Sequence, residues 1–154
     1  TFSVNEPVEA FNFPFEWIDP WPEDYPQSAL WVIDWQVELD EEDAFRKPVE
    51  AVLDVYANIA AENTLVAMNG VDGKGMATKM FGAEVTTQIW ADVISNTDPV
   101  PDEDDKATLV GQVFAKLSGV SGLSYPEIKQ KMGVEDVSHA VLRGWVAELC
   151  ALVN

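Results

Sequence analysis

Aromatic residues at every second position are the feature of this sequence that most restricts its fold. Between residues 11 and 17 each odd-numbered position carries a ring: Phe11, Phe13, Phe15 and Trp17. This spacing places side chains on one face of a β-strand, so it predicts a strand here. Pro14 falls on the opposite face and has no N–H to donate to a ladder. We therefore expect this strand to lie at a sheet edge or to contain a bulge.

A second alternating segment runs from residue 29 to residue 39. Its alternate positions are occupied by Ala29, Trp31, Ile33, Trp35, Val37 and Leu39. A helix remains an alternative, because Trp31, Trp35 and Leu39 also recur at intervals of four residues. Alternation explains more positions and β-forming residues dominate, so we predict a strand.

The connection between these two strands, residues 19–28, contains Pro20, Pro22 and Pro26. Proline favours extended, irregular backbone, and the connection is too long for a two-residue turn. We expect it to be exposed, together with its rings Trp21 and Tyr25.

Charge is distributed unevenly along the chain. The 154 residues include 27 acidic and 9 basic side chains, a formal net charge of −18. Residues 1–45 hold twelve of the carboxylates and no Lys or Arg. Such a charge repels nucleic acid and anionic membranes, so we expect neither as a direct partner. The expected partner is another protein chain, and a basic surface on that chain is one alternative. The sequence leaves the oligomeric state undecided, so the chain could be part of an oligomer or a complex.

From Pro48 onward the apolar spacing becomes helical. The stripe that predicts the first helix comprises Val49, Val52, Leu53, Tyr56, Ile59 and Ala60. The glycine-rich run 69–75 should then break the helical backbone. Further helices are predicted over 76–96, around 109–117, over 124–132 and from about 136 to 152. Ser124 followed by Glu127 predicts a capping box at the start of the 124–132 helix.

These patterns together predict an α+β protein. An aromatic two-stranded antiparallel hairpin or arm would pack on a bundle of four to five helices. We expect one structural domain, made of an acidic aromatic region (1–47) and a helical region (48–154).

No pattern in the sequence indicates an active site. The run around Lys74 resembles a phosphate-binding loop, but only two residues separate Gly70 from Gly73, and Gly75 replaces the hydroxyl residue that holds Mg²⁺. A helix-breaking turn explains this run better. His139 is the single histidine, which excludes multi-histidine metal sites and favours a surface or cap position.

The remaining titratable residues have ordinary explanations. Acids 102–105 form a solvated linker that ends near the positive end of a helix, and Glu41, Glu42 and Asp43 read as linker or helix-start acids. Cys150 is the single cysteine and is expected to be a buried thiol. We predict no enzymatic activity, no metal and no cofactor. A hydrolytic pair of carboxylates remains an alternative, because the two members of such a pair are usually far apart in the sequence.

Residues 125–134 partly resemble the first helix and turn of a helix-turn-helix motif. Lys129 stands where that motif commonly has a small residue at the helix contact. The second helix would begin with Glu135 and Asp136, which repel phosphate. An ordinary packed helical hairpin is therefore the preferred prediction.

The predicted function is a non-enzymatic interaction or structural subunit of a larger assembly, such as a virus particle. The rings expected to bind a partner are Phe11, Phe13, Phe15, Trp17, Trp21, Tyr25, Trp31 and Trp35. The same rings also have a structural explanation, as the inner face of a sheet. The alternative function is an acidic mimic of nucleic acid that inhibits a basic DNA- or RNA-binding protein.

Neither a secretory signal nor an apolar run of about eighteen residues is present in the sequence. The expected location is therefore the cytoplasm or the interior of a viral particle.

Overall fold

A computed structural model describes residues 13–41, 43–72, 75–133 and 138–150. Within these ranges the chain forms three strands and six helices, which confirms the predicted α+β class. In chain order they are β1 (Phe15–Ile18), β2 (Trp31–Trp35), α1 (Val49–Val52), β3 (Leu53–Asn58), α2 (Ile59–Asp72), α3 (Met76–Ser95), α4 (Leu109–Ser121), α5 (Tyr125–Met132) and α6 (Ser138–Leu149).

The three strands form one sheet in the order β1-β3-β2. β3 runs parallel to β1 and antiparallel to β2. The two aromatic strands therefore do not pair with each other as a hairpin; each pairs with β3. β1 lies at a sheet edge, as Pro14 predicts.

The predicted helix from Pro48 to the glycine-rich run is wrong for residues 53–58, which form β3. Only the single turn α1 forms before the chain becomes β3. Leu53, Val55 and Ala57 are fully buried while the residues between them are half-buried, so this stretch also has a period of two. The backbone groups of the two aromatic strands need a hydrogen-bonding partner, and β3 supplies it to both.

The register places the odd-numbered residues of all three strands on one face of the sheet. Phe15 and Ile33 flank Val55, while Trp17 and Trp31 flank Ala57. Because Val55 and Ala57 are fully buried, this face is directed at the helices. The rings of β1 and β2 thus share a face, as their spacing predicts.

The helices after residue 72 agree well with the sequence pattern. α2 ends at Asp72, and α3 begins at Met76 after Gly75, whose φ of 69° is the left-handed conformation that glycine favours. The capping box of α5 is present: Glu127 N donates to Ser124 Oγ (3.3 Å) and Ser124 N donates to Glu127 Oε1 (3.1 Å). None of the helices within the described ranges has the length and apolar character of a membrane span.

The N-terminal end of α4 is held by the segment that leads into α1. Leu109 N donates to the carbonyl of Lys47 (2.9 Å), and Val110 N donates to the carbonyl of Phe45 (3.1 Å). The first amides of a helix have no partner inside it, so these bonds satisfy groups that would otherwise need a cap or water. They also join the acidic region to the helical region.

Candidate interaction surface

The predicted partner-binding rings on the strands pack within the chain. Phe13 is 3% exposed, and the half-buried rings are Phe15, Trp17, Trp31 and Trp35. Phe15 meets Trp17 edge to face with ring centroids 5.0 Å apart, and Trp17 lies 6.3 Å from Phe81 of α3. Trp35 likewise meets Phe45 at 5.7 Å. These contacts hold the sheet against the rest of the core.

The connection between β1 and β2 is ordered by its own hydrogen bonds. Trp21 Nε1 donates to the carbonyl of Pro26 (3.1 Å), and Gln27 Nε2 donates to the carbonyl of Pro22 (2.8 Å). The rings of Trp21 and Tyr25 lie 5.2 Å apart and are half-buried, whereas residues 26–28 are exposed as predicted. Immediately before β2, Leu30 is 53% exposed.

The even-numbered strand residues form the opposite, outer face of the sheet. Asp34 is the direct cross-strand neighbour of Asp54, and Glu16 and Val32 flank Tyr56. We call the residues Glu16, Asp34, Asp54 and Tyr56 the acidic sheet face. Like charges directly opposite each other destabilise a sheet, so the pairing of the two aspartates is unfavourable in the free chain. Among the described residues the single salt bridge joins Arg143 to Glu84 on the helices, and none involves this face.

Tyr56 lies at the centre of the acidic sheet face, on the middle strand. Burial raises the pKa of its phenol above the ordinary value of 10.0, and the charges of Asp54, Asp34 and Glu16 add to the increase. Both causes disfavour the negatively charged phenolate form of Tyr56. The phenol therefore stays neutral, at the point where the fields of three carboxylates meet.

This arrangement suits the binding of cationic side chains. Carboxylates accept charge-assisted hydrogen bonds from Lys or Arg, and the Tyr56 ring on the same face offers a surface for cation–π contact. Nowhere in the described part of the chain do three or more His, Cys, Asp or Glu side chains gather in a way that would hold a metal ion. The carboxylates of this face can form ionic contacts with cationic groups.

One acid of the predicted solvated linker has a structural role. Asp105 accepts hydrogen bonds from the backbone N–H of Ala107 and of Thr108, each at 3.1 Å, and from the Thr108 hydroxyl. Burial tends to raise the pKa of Asp105, but these hydrogen bonds outweigh it and the net pKa lies below the ordinary value. The carboxylate therefore stabilises the turn into α4.

Lys129 also has a role that sequence reasoning missed. Its Nζ donates to the carbonyl of Ile94 (2.5 Å), in the last turn of α3, and lies 3.5 Å from the carbonyl of Ser95. A cation at a helix C-terminus satisfies free carbonyls and interacts favourably with the helix dipole. Burial lowers the pKa of this ammonium group, and Asp98 opposes that effect. A lysine in place of the small residue of a helix-turn-helix is thus explained by helix capping.

A cavity of about 300 Å³ lies beside α5. It is lined by Leu123, Glu127, Gln130 and Lys131. Glu127 is engaged in the capping box, and neither histidine nor cysteine is part of the lining. The single cysteine, Cys150, is half-buried. Burial raises the pKa of its thiol, and the charge of Lys79 opposes this effect. Because the net pKa is raised, the thiol is a weak nucleophile.

Several predicted residues lie outside the described part of the chain. They are Phe11, Glu42, Gly73, Lys74, Glu135 and Asp136, and the side chain of His139 is likewise not described. Comparison with known proteins found no matching family, no matching curated protein and no matching solved structure.

Proposed function

We propose that this chain is a non-enzymatic interaction or structural subunit that binds a basic surface of another protein within a larger assembly. The observation that supports it is the direct opposition of Asp34 and Asp54 on a face that forms no salt bridge among the described residues. A free chain gains nothing from this repulsion. A partner that places lysine or arginine against the two carboxylates turns the repulsion into attraction.

The aromatic rings of the acidic region have two roles. The rings of β1 and β2 pack on the core, so we assign them to holding the sheet rigid beneath its acidic face. Trp21 and Tyr25 lie on the connection with exposed residues around them, so we assign direct partner contact to these two rings. Half-buried aromatic rings beside charged groups are typical anchors of protein interfaces.

The experiment compares two double variants with the same loss of charge. D34N/D54N removes two carboxylates from the acidic sheet face, and D102N/D104N removes two exposed carboxylates from the linker before α4. The probe is a lysine-rich peptide, and binding is followed by tryptophan fluorescence at low salt. We expect D34N/D54N to weaken binding about tenfold or more and D102N/D104N to change it little. Equal weakening in both variants would mean that only net charge is recognised, which contradicts a defined surface.

The alternative function is an acidic mimic of nucleic acid that occupies a basic DNA- or RNA-binding protein. The unneutralised carboxylates of the acidic sheet face also favour this function, because a mimic must present charges that its target can pair. The affinity of a mimic should fall by about a thousandfold or more between low and moderate salt, as nucleic-acid binding does. Docking that combines Asp34 and Asp54 with the rings of Trp21 and Tyr25 forms fewer ion pairs than a mimic would. Its affinity should therefore fall less steeply as salt rises, and the steepness of the salt dependence decides between the two functions.

A further inference from the structure

The outer edge of β2 carries backbone groups that the described part of the chain leaves unpaired. Gln36 N donates to the carbonyl of Val52 (2.7 Å), and Asn58 N donates to the carbonyl of Leu30 (2.8 Å). Backbone groups alternate in direction along a strand. The N–H and C=O groups of Val32 and Asp34, which lie between Leu30 and Gln36 at even positions, therefore point toward β3 as well. The N–H and C=O groups of Trp31, Ile33 and Trp35 therefore point away from the sheet, where the strand order ends.

An open edge of this kind is a template for another strand, and proteins usually protect it. Two features protect this edge: β2 is only five residues long, and it carries the charged residue Asp34 next to its central residue. Pairing of β2 with β2 of a second copy would bring two copies of Asp34 close together, between chains that each carry a formal net charge of −18. The charge thus disfavours a second copy as the occupant of this edge.

The two faces of the sheet define the side chains of a strand that would fit. Successive side chains of an added strand point to opposite faces. On the outer face they would lie next to Asp34 and within reach of Asp54, which favours lysine or arginine. On the inner face they would lie next to Trp31, Ile33 and Trp35, which are half-buried and offer apolar contact.

We propose that the free edge of β2 binds an extended segment of a partner protein in which basic and apolar residues alternate. The segment would continue the sheet as a fourth strand, with its basic side chains on the acidic sheet face. Main-chain hydrogen bonds would supply affinity and the alternating side chains would supply specificity. This inference rests on the proposed function, because it names the segment that a basic partner would use.

The first test uses synthetic peptides as probes. One is a blocked peptide of about eight residues in which lysine and valine alternate, a typical strand length. The other has the same composition, with all lysines followed by all valines. Binding is followed through tryptophan emission at low salt, and we expect the alternating peptide to bind about tenfold tighter, because it alone can add to the sheet in register.

Backbone methylation of the alternating peptide separates strand addition from charge attraction. Methylating the amides of either the valines or the lysines removes the donors that point to one side of the added strand. One set should abolish binding and the other should leave it nearly unchanged. The valine set will be the sensitive one if the segment adds antiparallel, and the lysine set if it adds parallel.

A matched pair of protein variants tests the same edge from the other side. Ile33→Pro removes the outward N–H of β2 while the ladder to β3 keeps its donors, and proline is tolerated at such edge positions. Ile33→Ala loses the same side chain but keeps the N–H. We expect Ile33→Pro to bind the alternating peptide about tenfold more weakly than Ile33→Ala. If Ile33→Pro does not fold, the methylated peptides still decide.

The outcomes distinguish the two proposals. Equal binding of the alternating and block peptides, or equal effects of the two methylation sets, would overturn strand addition while leaving the acidic sheet face as a basic-partner site. No binding of any lysine-rich peptide would overturn both. Tight binding of the alternating peptide that depends on one methylation set supports both.

Discussion

Asp34 and Asp54 are direct cross-strand neighbours on the outer face of the sheet, although 20 positions separate them in the sequence (54 − 34). Their pairing costs stability in the free chain, and under the proposed function a cationic partner would relieve that cost. Stability and binding should therefore respond in opposite directions when either aspartate is replaced.

We expect Asp54→Asn to stabilise the free chain by about 0.5 kcal/mol, because it removes a repulsion between opposed like charges. Asp34→Asn should have a similar effect, and the double variant should add little, since one substitution already removes the repulsion. Urea unfolding at low salt measures the change. Asp102→Asn, in the exposed linker, is the control, and an equal gain there would attribute the effect to net charge.

Thr86 is fully buried in α3, and its hydroxyl has no hydrogen-bond partner among the described residues. Valine has nearly the same shape without the polar atom, so Thr86→Val is expected to raise the free energy of unfolding by about 1 kcal/mol. Thermal and urea unfolding provide the measurement. The adjacent Thr87 is the matched control, because its hydroxyl donates to the carbonyl of Ala83 (2.7 Å) and Thr87→Val loses that bond. A destabilised Thr86→Val would contradict the assignment of an unsatisfied hydroxyl.

Replacing Asp105 with alanine should destabilise the protein by about 1–2 kcal/mol at neutral pH, since three hydrogen bonds to the turn before α4 are lost. The pKa of Asp105 is lowered in the folded chain, so its contribution is present above the ordinary pKa of 3.8 and is lost as pH falls through the folded value. The difference between wild type and Asp105→Ala should therefore shrink in acid. Asp104→Ala, at an exposed position, should show no such difference at either pH.

The raised pKa of Tyr56 predicts a loss of stability in alkali. Its neutral form is favoured by folding, so this contribution is present below the unfolded value, near 10.0, and is lost as pH rises through the folded value. Wild type should lose more stability than Tyr56→Phe between neutral pH and about pH 11, as measured by urea unfolding. In Asp54→Asn the phenol should titrate at lower pH, because Asp54 is the largest charge contribution to the shift. Equal alkaline losses in wild type and Tyr56→Phe would contradict this prediction.

Local patterns in the sequence predicted much of the helical part. α3, α4 and α5 follow from apolar periodicity, and α5 also from the capping box of Ser124 and Glu127. These signals lie within a few residues of each other along the chain, so no tertiary contact is needed to interpret them.

The middle strand was missed because residues 49–60 fit two periods. Val49, Val52 and Tyr56 recur at helical spacing, while Leu53, Val55 and Ala57 alternate. The strand forms because β1 and β2 both pair with it through backbone hydrogen bonds. This pairing exists only in the folded chain, so the local sequence does not show which period applies.

The candidate surface was predicted only in composition. The sequence shows that acids and rings are concentrated together, but it cannot show which residues share a face, because that depends on the register with β3. The capping of α3 by Lys129, which is 34 positions from Ser95, depends in the same way on how α5 packs.

The place of β3 between β1 and β2 has a consequence for how this chain can be taken apart. The change in composition near residue 47 resembles a domain boundary. However, β3, the strand with which both aromatic strands pair, begins at Leu53, after that position. A fusion that transplanted only the acidic segment would carry two strands with nothing to join them. Any portable version of the acidic sheet face must extend at least through Asn58 and include the helices that cover the inner side of the sheet.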